Sequence, residues 1–281
     1  MHKYFLVIVV LSVVACNTTT KHLETEKEGQ EKVLSDGDKY RIATYWEKAS
    51  KSRLHSQERQ LYLDSILAIK PDSAYFWQQK AMPLYKARKY ALGKPFLANA
   101  VKYDPERYMD YSAFMKCLFS KEYQESIEEF MEVKKRYGDS FVMDHTYNFY
   151  IALCYLQLNQ FKEAEMFLQK SKEQQFATFP NDPPHEACHY IDWLYLGITA
   201  MELGNYKEAI HRLDQSLKVY PNFADALYYK ALCYGYLGDK ENANTYYALA
   251  KENRKNTFNE DQVFYELYPY QVFHKLSPYS Q

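Results

Sequence analysis

The hydrophobic pattern is helical, and it repeats. A polar turn followed by an amphipathic helix opens at Gly204-Asn205-Tyr206-Lys207-Glu208-Ala209-Ile210 and again at Asn159-Gln160-Phe161-Lys162-Glu163-Ala164-Glu165. Lys121-Glu122-Tyr123-Gln124-Glu125-Ser126-Ile127 and Gly238-Asp239-Lys240-Glu241-Asn242-Ala243-Asn244 are further copies, and Arg88-Lys89-Tyr90-Ala91-Leu92-Gly93-Lys94 is a weaker one. In each, a small residue lies on the first turns of the helix, with its counterpart twelve positions upstream: Ala81 and Gly93, Phe114 and Ser126, Ala152 and Ala164, Gly197 and Ala209, Ala231 and Ala243. Two small residues so placed let antiparallel helices approach closely where their axes cross. Seven positions further on, Ala100, Val133, Ser171, Ser216 and Ala250 fall on the same face of the second helix. Phe114 and Val133 break the small-residue rule, which makes the copy around them the most divergent. Pro71, Pro105 and Pro221 stand where proline ends a second helix.

The spacing fixes the unit. Pro71 to Pro105 is 34 residues, and so is Ala209 to Ala243. With Trp193-Leu194-Tyr195-Leu196-Gly197, Ala209, Leu213, Ser216 and Pro221 as its fullest copy, the chain resembles the tetratricopeptide-repeat (TPR) family. The resemblance implies an all-α TPR superhelical solenoid of about five to six helix-turn-helix repeats with a C-terminal capping helix. Its frames are 74–107, 107–140, 145–178, 190–223 and 224–257, after a degenerate helix pair near 39–71. An insertion between Phe176 and Glu186, carrying Phe179-Pro180-Asn181-Asp182-Pro183-Pro184, is expected to bulge as a loop. No single pair can bury its apolar face alone, so stacking supplies the core.

The amino terminus has a different pattern. A short basic start leads into the apolar stretch Tyr4 to Ala15, too short for a membrane span of about 20 residues. It reads as a secretory signal. Val13-Val14-Ala15-Cys16 resembles the lipobox of bacterial lipoproteins, which implies cleavage before Cys16 and diacylglycerol on its thiol; the other reading is an ordinary signal with an incidental cysteine. The domain plan is then signal peptide 1–15, lipidated cysteine and flexible tether 16–38, solenoid 39–257 and C-terminal cap 258–281. A coil the length of this tether spans about 25 Å. Asn17 in place of aspartate after the cysteine favours a cell-envelope location at the outer membrane, facing the periplasm.

Composition narrows the function. A net charge of -1 over 281 residues leaves no basic excess for nucleic acid. Eight glycines and ten prolines argue for long helices over a turn-rich β protein. Cys117, Cys154, Cys188 and Cys233 lack the paired spacing of a zinc or redox site, and Cys117, Cys154 and Cys233 sit in apolar helical runs as small hydrophobes. No cofactor is implied beyond the covalent diacylglycerol on Cys16.

The 29 tyrosines bear on partner binding. In TPR arrays the first helix of each pair lines a concave groove, and the ligand face predicted here comprises Tyr75, Gln78, Met82, Tyr85, Tyr108, Tyr111, Met115, Phe149, Leu153, Tyr228 and Tyr236. Tyrosine gives large contact area with a polar tip, which suits a protein or peptide partner. The plainer reading is that many of these rings seal adjacent repeats. The lysine, asparagine and arginine clamp of chaperone-binding TPR proteins is replaced by Gln78, Met82, Tyr108 and Tyr111, which disfavours a terminal carboxylate as ligand.

A rival signal is His185-Glu186-Ala187-Cys188-His189, a formal H-E-x-x-H match. On one helix the histidines would share a face and bind zinc, with Glu186 as general base and Cys188 as a further candidate ligand. Pro183-Pro184 immediately before it and the absence of chain length for a catalytic domain weigh against an enzyme. The aromatic segment 258–281 reads as the cap over the last repeat, or else as a strand of chain folded back into the groove. The leading function is a membrane-tethered adaptor for exported proteins. The alternatives are a subunit resembling the TPR lipoproteins of outer-membrane β-barrel assembly, and a zinc metallopeptidase.

Overall fold

A computed structural model of the chain describes residues 33–257, 268–273 and 275–276. The signal segment, Cys16 and the tether up to residue 32 lie outside the described residues. The described chain is a succession of antiparallel helix pairs: α1 (Asp36–Lys51) with α2 (Gln57–Ile69), α3 (Ala74–Lys86) with α4 (Tyr90–Tyr103), and α5 (Pro105–Met115) with α6 (Tyr123–Tyr137). Then come α7 (Tyr147–Gln157) with α8 (Phe161–Thr178), the short α9 (Pro184–Ala187), α10 (Tyr190–Glu202) with α11 (Tyr206–Val219), and α12 (Ala224–Tyr236) with α13 (Lys240–Glu252). The five repeat frames and the degenerate pair before them are therefore present, and the first helix begins at Asp36 because Ser35 caps it, accepting a hydrogen bond from the Asp38 amide.

Each turn inside a repeat has the same backbone device. Arg88, Lys121, Asn159, Gly204 and Gly238 all have positive φ, and each stands five residues before the small residue of its second helix. This left-handed residue reverses the chain after the first helix, and only two of the five are glycine, so the reversal is held by the packing of the pair as well as by backbone freedom. The small residues do what their spacing predicts. A Cβ on Gly197 would sit 2.7 Å from Leu213 Cγ, and Ser126 is buried with its hydroxyl donating to the Ala113 carbonyl at 2.8 Å. The divergent copy keeps its helix pair, with Phe114 in the core and a π-turn over Lys116–Ser120 closing its first helix.

Four features differ from expectation. Pro105 begins α5 at a position whose N–H would be unbonded anyway, so it opens the next repeat as much as it ends α4. A two-stranded antiparallel hairpin, β1 (Phe141–Val142) and β2 (His145–Thr146), joins the second and third frames. The described residues of the 258–281 segment contain no helix; Tyr268, Val272 and Leu276 instead enter the core as non-helical chain. Part of the insertion after Phe176 is absorbed by α8, which runs on to Thr178 before the turn to α9.

The core is continuous from α3 to the C-terminal segment, while α1 and α2 form a small cluster of their own around Ala49, Leu63 and Ile66. Rings of Trp46, Tyr75 and Phe76, at centroid separations of 5.5 and 5.6 Å from Trp46, seal that pair to α3. Across the later repeats, Arg212 of α11 bonds Glu165 of α8 at 2.7 Å and the Leu196 carbonyl at 3.1 Å, tying three helices together.

Candidate partner-binding face

The first helices of successive pairs neighbour one another, α10 against α12 and α3 and α7 against the π-turn of α5; α7 and α10 are buried over almost their whole length, so the open part of this first-helix face lies at α3 and α5. On the α3–α5 part of it, Tyr75, Gln78, Tyr108 and Tyr111 line an open cleft of about 410 Å³ with Arg107, Asp110, Phe141, Val142 and Met143. A second cleft of about 450 Å³ continues past Tyr75, Arg107 and Tyr108 to Lys70, Asp72 and Tyr103. Tyr75 is 38% exposed, and the hairpin presents Phe141 and Met143 at 39% and 44%, so the walls are apolar surface open to solvent. Arg107 lies over the Tyr108 ring at 5.5 Å. Burial pushes the Asp110 carboxyl up from its ordinary value, although the Tyr147 hydroxyl donates to it at 2.9 Å and the Tyr111 amide at 2.6 Å. The cleft thus offers aromatic walls, a cation and a partly desolvated carboxyl, a surface suited to a peptide with mixed side chains.

Of the other residues expected on the ligand face, most are covered. Tyr85 is buried beside Gly93, where an added Cβ would come within 2.8 Å of the ring; the missing side chain makes the room that takes Tyr85 into the core. Met115 is buried at the junction with the π-turn, and Tyr108, though it lines both clefts, is mostly covered by Ala74, Ala100 and Trp77. Phe149 is fully buried, with His145 stacked on its ring at 4.1 Å and Tyr195 of α10 packed edge-on against it at 5.6 Å, and Leu153 is fully buried too. Met82 is half-buried. Tyr228 lies beneath the Lys275 ammonium, 5.3 Å from its ring, and Tyr236 is exposed and stacked on Tyr206 at 4.8 Å. Arg107, Asp110, Phe141 and Met143 join the cleft in addition to the residues that helical spacing points to; the apolar residues in the stretch between frames 107–140 and 145–178 are the signal for the last two.

The H-E-x-x-H stretch does not form one helix. α9 ends at Ala187, Cys188 is extended, and His189 is the N-cap of α10, so the two histidines do not share a helical face. His185 pairs with its neighbour Glu186 at 3.5 Å, and Cys188 is buried, its thiol pushed up by burial. His189 meets His145 of β2 and Asp192 of α10 instead, the only such donor group among the described residues, with one ligand atom from each within 4.8 Å of the others. Donors around a tetrahedral zinc lie about 3.4 Å apart, from bond lengths near 2.0 to 2.1 Å, so donors spread over the full 4.8 Å would have to close in to hold one. As it stands the cluster is a polar core. Asp192 is fully buried, its Oδ1 accepts from Ser171 Oγ at 2.6 Å and Gln175 Nε2 at 2.8 Å, and its Oδ2 faces His145 Nδ1 at 3.4 Å. It fixes the hairpin, α8 and the start of α10 to one another.

Stacked helix pairs of this length and register define a TPR solenoid. Residues 194–256 match the tetratricopeptide-repeat family model. Among solved structures the chain is similar to PilW, described as a widely conserved type IV pilus biogenesis factor, at 16% identity and a TM-score of 0.59 over 78% of this chain and 94% of that one. It is similar also to PilF of Pseudomonas aeruginosa, at 15% identity and a TM-score of 0.53 over 76% and 90%. At such identities the likeness shows the fold. Comparison with curated proteins found no match.

Proposed function

We propose that the chain is a lipid-anchored scaffold of the cell envelope that holds a protein or peptide partner in the cleft between α3 and α5. The observation that carries this reading is the open aromatic cleft itself: Tyr75 and Tyr111 from two first helices, with Phe141 and Met143 of the hairpin, expose ring and thioether surface beside Arg107, over the buried Tyr108. Exposed apolar walls around one fixed charge are the anatomy of a binding patch. Anchoring through Cys16 would leave that patch within reach of exported proteins, in the manner of an adaptor that collects parts of an envelope assembly. PilW, with a similar fold, is described as serving pilus biogenesis, a task of this class.

A photo-crosslinking residue at Tyr111 tests the cleft in cells, with the same probe at the exposed Tyr247 of α13 as the control. One discrete adduct at Tyr111, absent at Tyr247 and lost when Arg107→Glu is added, supports the reading. Identical adducts from both positions overturn it. Separately, a Cys16→Ala chain recovered in the soluble fraction supports the anchor, and one that stays with membranes removes it.

A further inference from the structure

We infer that the first-helix face of α10 and α12 is a second peptide site, built for a non-helical, turned chain of the form Tyr-Pro-Tyr-x-Val-x-x-x-Leu, and that the C-terminal segment of this chain fills it in cis through Tyr268, Val272 and Leu276. The inference goes beyond the α3–α5 cleft, because it concerns a different stretch of the face, and either can fail without the other.

The contacts read backbone. Tyr195 of α10 donates its hydroxyl to the Pro269 carbonyl at 2.7 Å, and Tyr229 of α12 donates to the Tyr270 carbonyl at 2.6 Å. Tyr195 and Tyr229 are 34 residues apart, the same position in consecutive repeats, so the repeat distance presents two hydroxyls to two successive carbonyls. Two residues on, the Val272 amide donates to Asp225 Oδ1 of α12 at 3.0 Å. Side-chain groups that take up main-chain donors and acceptors of a non-helical segment are how proteins hold peptides largely independent of their sequence, and side-chain pockets then add selectivity. Here Tyr268, Val272 and Leu276 are the buried side chains, at 5%, 0% and 3% exposed. The Lys275 ammonium lies over Tyr228 and Tyr229, at 5.3 and 5.8 Å, the cation–π geometry a basic residue in a ligand would use.

Pro269 suits its place, since it has no N–H to satisfy and offers only the carbonyl that Tyr195 takes. Tyr270 does not suit its backbone equally well: its φ is +63°, in the left-handed region that disfavours a ring-bearing residue. A cis segment carrying that strain is weaker than the best ligand of the same pattern, and a segment with asparagine or glycine at this position binds better. Tethering compensates, because a linked segment acts at an effective concentration of order millimolar. A free peptide therefore gains access only when the cis segment lets go.

The test uses the full chain with Cys16→Ala and a fluorescent peptide of residues 266–276. Val272→Asp removes a fully buried anchor from the cis segment, and that chain is expected to bind the peptide at least about tenfold tighter than its parent, judged against the effective concentration of the tethered segment. Adding Tyr195→Phe and Tyr229→Phe should abolish the gain. No binding by a helical, soluble Val272→Asp chain overturns the inference, and so does its unfolding, which would make residues 268–276 part of the core. Hydrogen exchange on the unaltered chain decides independently: the Val272 amide should exchange faster than the interior amides of α12, and exchange that coincides with them refutes a releasable segment.

Discussion

Replacing Gly197 by alanine tests the device on which the solenoid is built, the close crossing of the two helices in a pair. A Cβ there would lie 2.7 Å from Leu213 Cγ, 2.8 Å from its Cδ2 and 3.3 Å from the Ala209 carbonyl oxygen. Carbon atoms pack at about 3.5 to 4.0 Å, so the two Leu213 contacts are short by close to an ångström. Leu213 is fully buried, so it can move only at the expense of its own packing, and the carbonyl belongs to the backbone of α11. Overpacking of this kind costs about 1 to 3 kcal/mol. Against it, alanine in a helix interior is favoured over glycine by about 1 kcal/mol. The clash wins, and Gly197→Ala is expected to destabilise by about 1 kcal/mol. Gly235 supplies the control: it lies in the last turn of α12 with negative φ, and nothing is within 4 Å of its added Cβ. There only the propensity gain remains, reduced near the helix end to about 0.5 kcal/mol. Urea titration followed by far-ultraviolet circular dichroism on the Cys16→Ala chain reads both variants, with the whole curve compared because stacked repeats can melt in segments. The Gly197→Ala midpoint should fall and the Gly235→Ala midpoint rise. A Gly197→Ala chain as stable as its parent would mean that the helices have room to spare, and that small residues twelve apart are not what sets the repeat.

Asp192→Ala strips the acceptor from Ser171 and Gln175 and removes the carboxylate that faces His145 in a closed site, so a loss of about 3 kcal/mol is expected in the same titration, the scale of breaking a buried pair; a loss below about 1 kcal/mol would show that water or a rearranged side chain takes its place. Glu165 gives a pH signature. Burial alone would raise its carboxyl, but hydrogen bonds from Arg212 and Gln169 outweigh that and hold it below the ordinary 4.5. A depressed carboxyl contributes stability that is complete above 4.5 and is lost as pH falls through the folded value beneath it. Glu165→Gln should therefore lower the midpoint at pH 7 and show a shallower decline below pH 4.5 than the parent, and parallel acid limbs would refute the linkage.

How far the sequence is legible depends on whether a signal is carried within one helix pair or between distant parts of the chain. The small residues, the left-handed turn residues at Arg88, Lys121, Asn159, Gly204 and Gly238, and the terminating prolines act inside a single repeat, where sequence separation and spatial separation run together. That is why the frames emerge in register and why even the Phe114 copy folds as a pair. Exposure along the first helices is a different kind of property. Phe149 and Tyr111 occupy equivalent positions, and Tyr111 is left half-open while Phe149 is sealed by Tyr195, a residue 46 positions later, and by His145 of the hairpin, stacked on its ring at 4.1 Å. Neither cover belongs to the helix that carries Phe149. The hairpin at 141–146 escapes for the opposite reason, because two residues per strand are too few to show a period. The H-E-x-x-H stretch errs in yet another way: its spacing is local and correct, but Pro183-Pro184 start a helix that stops at Ala187, and His189 is handed to His145 and Asp192. In a solenoid, then, the repeat unit follows from neighbours in sequence, whereas the working surface is whatever the later repeats and the returning chain leave uncovered. The α3–α5 cleft is open, and the α10–α12 face already holds Pro269, Tyr270 and Val272 by their backbone.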